Sequence, residues 1–190
     1  ETIPTIFNGS PGFGQKVSCI IPKNGDLVTG MFLKIQLADL NPNLVGMPTC
    51  YWTNSIGHSL IEEVELEIGG TMVDKQYGIW LEIWAELTQN EEKLVGYEKM
   101  IGKMHDNAID LTAYQNHARA MTLMVPLSFY FCRDIRLALP LIALQYHDVK
   151  VHIKFGSLEK NVWLFHTNTM SVVPDSARNI GLTLMTDYVY

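Results

Sequence analysis

Glu62, Glu63, Glu65 and Glu67 crowd one short stretch of the chain, and Glu82 and Glu86 follow in the next amphipathic segment. Paired carboxylates cleave glycosidic bonds, one as acid and the other as nucleophile or base, held about 5 to 10 Å apart on a common face. Against that chemistry, Glu63, Glu65 and Glu67 alternate with Val64, Leu66 and Ile68, the pattern of a strand with one solvated face. Nothing in the sequence raises one of these carboxyls above another, as a general acid requires. Trp80 and Trp84 could add a stacking platform for a sugar or a base. Their spacing with Ile83 and Leu87 instead predicts a core-facing helical stripe. The sequence shows no second exposed aromatic on the strand face of the carboxylates.

His147 and His152 stand an odd number of positions apart on one predicted strand, so their side chains leave opposite faces and cannot share a metal. His58, His105 and His117 read as loop residues with no partner at ligand spacing. Cys19, Cys50 and Cys132 are odd in number and widely spaced, without a C-x-x-C pair, which indicates neither a disulfide framework nor zinc. Cys19 alternates with Val17 and Ile21 and reads as a reduced core thiol, which fits a reducing compartment. None of the serines lies in a G-x-S-x-G elbow. The glycines of Ser10–Gly14 lack the Lys-Ser/Thr pair of a phosphate loop and read as turn residues. Asn8-Gly9-Ser10 is a glycosylation sequon by pattern, disfavoured by the thiol usage. The sequence assigns no catalytic, cofactor-binding or metal-ligating residue.

The elements that would carry these residues are mostly strands. Leu137–Phe155 begins as an apolar run around Pro140 and becomes strict alternation, with Val149, Val151, Ile153 and Phe155 opposite Asp148, Lys150, His152 and Lys154. Further strands are predicted at 16–21, 31–37, 61–68, 71–76, 121–125, 128–132, 161–165 and 180–190. Gly69-Gly70 supplies the tight turn of a hairpin. A helical and loop excursion over about 78–117 interrupts them, with two short helices and an irregular loop at 105–117. About eight or nine strands without a βαβ rhythm predict an all-β, antiparallel, eight-stranded jelly-roll β-sandwich with a short helical insertion.

At 190 residues the chain has room for one good-sized domain, and 47% hydrophobic with 18% charged residues is the composition of a folded globular protein. A net charge of -6 without a basic cluster argues against phosphate neutralisation and direct nucleic-acid binding. No apolar run reaches the ~18 residues of a membrane span, and the start lacks a signal-peptide layout. Its aromatic content exceeds what one sandwich interior obviously needs, and some of it is expected to meet another chain or domain.

The segments GDL at 25–27, YWTNSIGHSLIEEVELEIGG at 51–70, GIWLEIWAEL at 78–87, VPLSFYFCRD at 125–134 and LALPLIALQYHDVKVHIKF at 137–155 occur in one order. Together they resemble the first jelly roll of the major capsid proteins of nucleocytoplasmic large DNA viruses. The resemblance implies a single jelly roll over 1–190, the first of two, ending at a handover strand that TDYVY resembles. It implies a homotrimeric, pseudo-hexagonal capsomer that contacts neighbouring capsomers and minor capsid proteins in a virion assembled in the host cytoplasm, the shell overlying an internal membrane. It implies no enzymatic activity and no cofactor. The loops at 38–57 and 78–117 are the expected surface or inter-subunit contacts. Two alternatives stay open: a minor capsid or penton protein of the same lineage, and a carbohydrate-binding or carbohydrate-cleaving jelly roll.

Overall fold

The computed structural model describes residues 1–40, 50–103, 118–164 and 178–190. In chain order the strands are β1 (Thr2–Ile6), β2 (Lys16–Ile20), β3 (Leu27–Leu37), β4 (Cys50–Trp52), β5 (Ile61–Ile68), β6 (Thr71–Tyr77), β7 (Met121–Pro126), β8 (Leu139–Pro140), β9 (Val149–Phe155), β10 (Val162–Leu164) and β11 (Ile180–Val189). The helices are α1 (Ile56–Ser59), α2 (Gly78–Thr88), α3 (Glu91–Ile101), α4 (Tyr130–Arg133) and α5 (Leu158–Asn161). One sheet runs β1-β11-β3-β7, with β8 paired to the start of β3, a second runs β2-β9-β5-β6, and β4 and β10 pair as a small two-stranded sheet. The chain crosses repeatedly between the two larger sheets, so apart from the β5–β6 hairpin the neighbours within them are distant in sequence. That is the wrapping of a jelly roll.

Period-two alternation builds the core between the sheets. Val149, Val151, Ile153 and Phe155 of β9 face Met31, Leu33, Ile35 and Leu37 of β3 and Leu182 and Leu184 of β11 within one buried cluster. Lys150, His152 and Lys154 take the outer face, as the alternation requires. In β5 the register against β9 slips between Ile61 and Glu63. This bulge lets Ile61 and Val64 both point inward although they are three positions apart. Gly69 and Gly70, at φ 58° and 85°, close the β5–β6 hairpin in the left-handed conformation that the turn demands.

Several expectations are corrected. Residues 128–132 form no strand: Pro126 ends β7, the Ser128 carbonyl accepts from the Gln76 amide and the Arg133 guanidinium, and the chain coils into α4. The stacked Phe129 and Phe131 rings are both buried there, 5.7 Å apart, which alternation along one strand face would also place together. The run at 137–144 is a two-residue bridge to β3 between two 3₁₀ turns, Ile135–Leu137 and Leu141–Leu144. Pro140 has no N–H to extend a ladder. The strand β1 was not anticipated, because Pro4 interrupts its sequence; it lies at the sheet edge, where proline is tolerated. The predicted loop at 105–117, with His105 and His117, and positions 41–49 of the loop at 38–57 lie outside the described residues.

Candidate functional site

The acidic face is an ion-pair ladder on the outside of the β2-β9-β5-β6 sheet. Glu65 Oε2 lies 2.7 Å from Lys16 Nζ, and its Oε1 lies 2.9 Å from Lys75 Nζ, which also reaches Glu63 at 2.6 Å. Glu67 pairs with His152 Nε2 at 2.7 Å and with Lys150 at 3.4 Å, and Glu62 with Lys154 at 3.0 Å. The register sets Glu65 opposite Lys75 and Glu67 opposite Lys150, while Glu67–His152 and Glu63–Lys75 are diagonal pairs and Lys16 reaches Glu65 across β9. Hydrogen bonds from Lys16 and then Lys75 hold the Glu65 carboxyl below its usual range, and one from His152 does the same for Glu67. A general acid needs the opposite shift. Tyr77, opposite Glu63 in the β5–β6 pairing, is an exposed aromatic on this face that sequence reading missed, with the Lys75 ammonium 5.7 Å from its ring centroid.

The helix after β6 is turned away from its predicted orientation. Gly78, Leu81 and Ala85 face inward, while Ile79, Ile83 and Leu87 are 70%, 44% and 76% exposed and Trp80 is partly exposed. Close approach explains the choice. A Cβ on Gly78 would overlap the carbonyl oxygens of His58 and Ile61, so only glycine lets α2 start against α1 and β5. Gly78, Leu81 and Ala85 carry the packing, and Ile79, Ile83 and Leu87 remain outside. Arg133 rests its guanidinium 4.5 Å from the Trp84 ring, and Trp80 and Trp84 sit 5.9 Å apart.

Where α1, α2 and α3 meet, they enclose His58, which is buried on α1 rather than placed in a loop. Its Nδ1 lies 2.5 Å from Glu82 Oε2 on α2, and its Nε2 lies 3.0 Å from the Tyr97 hydroxyl on α3. Ser55, the sole non-glycine residue at positive φ among the described residues (φ 50°), donates its hydroxyl to Glu82 Oε1 at 3.0 Å. Burial holds the His58 imidazole below its ordinary pKa and pushes the Tyr97 phenol up to about 12. A cavity of about 470 Å³, lined by Asn54, Ser55, His58, Ile61, Ile79 and Glu82, opens beside the ring. No local sequence pattern announces this cluster, because its partners are 24 and 39 positions from His58.

The remaining sequence candidates are scattered. His147 precedes β9 beside the Gly69 turn, away from His152 on the outer face. Cys19 and Cys50 are buried free thiols and Cys132 a partly buried one, and burial raises the Cys19 thiol to about 11. Asn8 is exposed, its backbone bridged to Ser18. Among the described residues no three His, Cys, Asp or Glu side chains are grouped to hold a metal ion, and no helix is long and apolar enough to cross a membrane.

The two wrapped sheets, with the ion-paired outer face on one and the outward apolar stripe of α2 beside them, define a jelly-roll protein. Residues 1–190 match the family described as "Major capsid protein N-terminus", and the chain belongs to that family. It is 36% identical to the major capsid protein of Phaeocystis pouchetii virus over 214 aligned residues, covering 100% of this chain and 41% of that protein. It is 44% identical to the major capsid protein of Pyramimonas orientalis virus over 158 residues, covering 82% of this chain and 37% of that protein. A chain in the quasi-atomic structure of the PBCV-1 virus capsid superposes with a TM-score of 0.76 at 32% identity, over 99% of this chain and 41% of that one. The chain thus spans about two-fifths of the length of the relatives it matches.

Proposed function

We propose that this chain is the first of two jelly rolls in a viral major capsid protein, one domain over 1–190 that works by assembly into a virion shell. Membership of the capsid family along the whole chain is the observation that carries the reading. Three full-length copies form the capsomer, which meets neighbouring capsomers and minor capsid proteins, and assembly takes place in the host cytoplasm. No catalytic, cofactor-binding or metal-ligating residue is assigned, and no contact with nucleic acid or span of a membrane is part of the reading.

The outward stripe of α2 supports a self-association surface. Burying an aliphatic side chain contributes roughly 1.5–3 kcal/mol, so covering Ile79, Ile83 and Leu87 supplies several kcal/mol to an interface. Light scattering on the full-length protein tests this: three copies per particle are expected, and Ile83→Asp with Leu87→Asp is expected to weaken the association at least tenfold. A full-length protein that stays monomeric at micromolar concentration would refute the proposal. The carbohydrate alternative draws on Tyr77 and the acidic face, but every described glutamate there is already ion-paired.

A further inference from the structure

We propose that the outer face of the β1-β11-β3-β7 sheet is a docking surface for the part of the full-length protein that follows Tyr190. The inference rests on the reading of this chain as the first of two jelly rolls. It starts from a contrast between the two outer faces. On the β2-β9-β5-β6 sheet the outward side chains are mostly charged and paired with one another. On β1, β11, β3 and β7 the outward positions carry two charged groups, Lys34 and Asp187, and the rest are apolar or neutral.

Strand register lines these residues up. Pro4, Met185, Phe32 and Pro126 stand opposite one another across all four strands, and none of them belongs to the buried core cluster. In the next row Ile6 and Met124 flank Thr183 and Lys34, and Ile6 is 81% exposed. Near the end of β11 a third row sets Val189 beside Leu27 and Leu27 beside Pro140. The preceding pairs, Tyr188, Val28 and Leu139, are buried, so alternation holds this row on the outside. One buried face per sheet completes a sandwich, and apolar rows on the second face are the pattern of strands covered on both sides.

The position of Tyr190 selects the occupant. Val189, in the third row, lies two strand spacings from Pro140, about 10 Å, which about three residues of extended chain cross. The chain spans about two-fifths of the length of its relatives, and its family is the N-terminal part of a major capsid protein. On that reading the larger part of the molecule starts at the rim of this face. A segment tethered there meets the face at an effective concentration in the millimolar range, which a second copy at micromolar concentration does not match. The chemistry of the face fits such a cover. It holds one ammonium and one carboxylate, the latter already accepting the Thr2 hydroxyl, so it is close to neutral and suits an apolar layer rather than a charged partner.

Photo-cross-linking in the full-length protein tests this, with p-benzoylphenylalanine in place of Ile6 on this face and, separately, in place of Ile20, 46% exposed on the outer face of the other sheet. Irradiation should join position 6 to a peptide from beyond Tyr190 in a product of single-chain mass, in at least fivefold higher yield than position 20. Phe32→Asp, in the adjoining row, should lower the yield at position 6 at least fivefold, and Ile20→Asp should leave it unchanged. Met124→Asp, in the row of Ile6, replaces Phe32→Asp should that variant fail to fold. A cross-link between two copies, a yield at position 6 no higher than at position 20, or a yield that the aspartate substitutions on this face leave unchanged would each overturn the docking. Light scattering on the same samples reads the capsid proposal separately. Three copies without the cross-link refute the docking alone, and a monomer that forms it supports the docking and refutes the capsomer.

Discussion

Gly78→Ala and Gly96→Ala make the same chemical change on two adjoining helices and should move stability in opposite directions. At Gly96 the added methyl meets nothing within 4 Å, and alanine replaces glycine inside α3, a gain of about 1 kcal/mol. At Gly78 the methyl would sit under the 3.0 Å floor that real Cβ atoms keep, against two backbone oxygens, those of His58 and Ile61. Inserting a methyl into a packed site costs about 1–3 kcal/mol when side chains can adjust. Here the obstacles are main-chain carbonyls anchored in α1 and at the start of β5, so the cost falls at the top of that range or above. The variants should therefore differ by about 4 kcal/mol, roughly a thousandfold in the folding equilibrium. For a chain of this size that is a melting temperature about 6–12 °C lower for Gly78→Ala and about 2–4 °C higher for Gly96→Ala. Urea unfolding followed by tryptophan fluorescence, with thermal melts, measures both. A loss below about 1 kcal/mol at Gly78, or equal shifts in the two variants, would refute the claim that close approach at this glycine seats the insertion.

Phe155→Ala removes a ring with 0% exposure from the inner face of β9 and should cost about 3–5 kcal/mol by urea denaturation, whereas Tyr146→Ala, at a position 95% exposed, should stay within about 0.5 kcal/mol. Glu65 has a depressed carboxyl pKa, so its contribution is present above the ordinary carboxyl value and is lost as pH falls through the depressed one. The urea midpoint of Glu65→Gln should accordingly drop less than that of wild type between pH 6 and pH 3, and an equal drop would show that the Lys16 and Lys75 pairs are not the cause.

What could be read in advance was local in sequence. The alternation of β9 and the glycine pair of the β5–β6 turn act over a few residues, and the structure keeps both. The apolar lead-in at 137–144 misled because composition does not distinguish a ladder strand from a 3₁₀ turn, and Pro140 tips it to the turn. His58 escaped notice because its meaning lies in Glu82 and Tyr97, contributed by two other helices. Glu65 pointed correctly to the outer face, yet it is 6% exposed because Lys16 and Lys75 fold over it, which spacing alone cannot reveal.

The misjudged orientation of α2 is itself informative. Apolar side chains at the spacing of Trp80, Ile83, Trp84 and Leu87 ordinarily bury themselves, and here they yield the inward face to Gly78, Leu81 and Ala85. A helix with only one apolar face would have rotated to hide the larger residues. This one cannot, because the near contact at Gly78 fixes its start against the His58 and Ile61 carbonyls, and Leu81 and Ala85 are buried on the same side. The result is a helix apolar on two sides with cover on one, and an exposed apolar face of that kind is the mark of an interaction surface. On the proposed capsid function, that uncovered side carries free energy that folding leaves unused and assembly would draw upon.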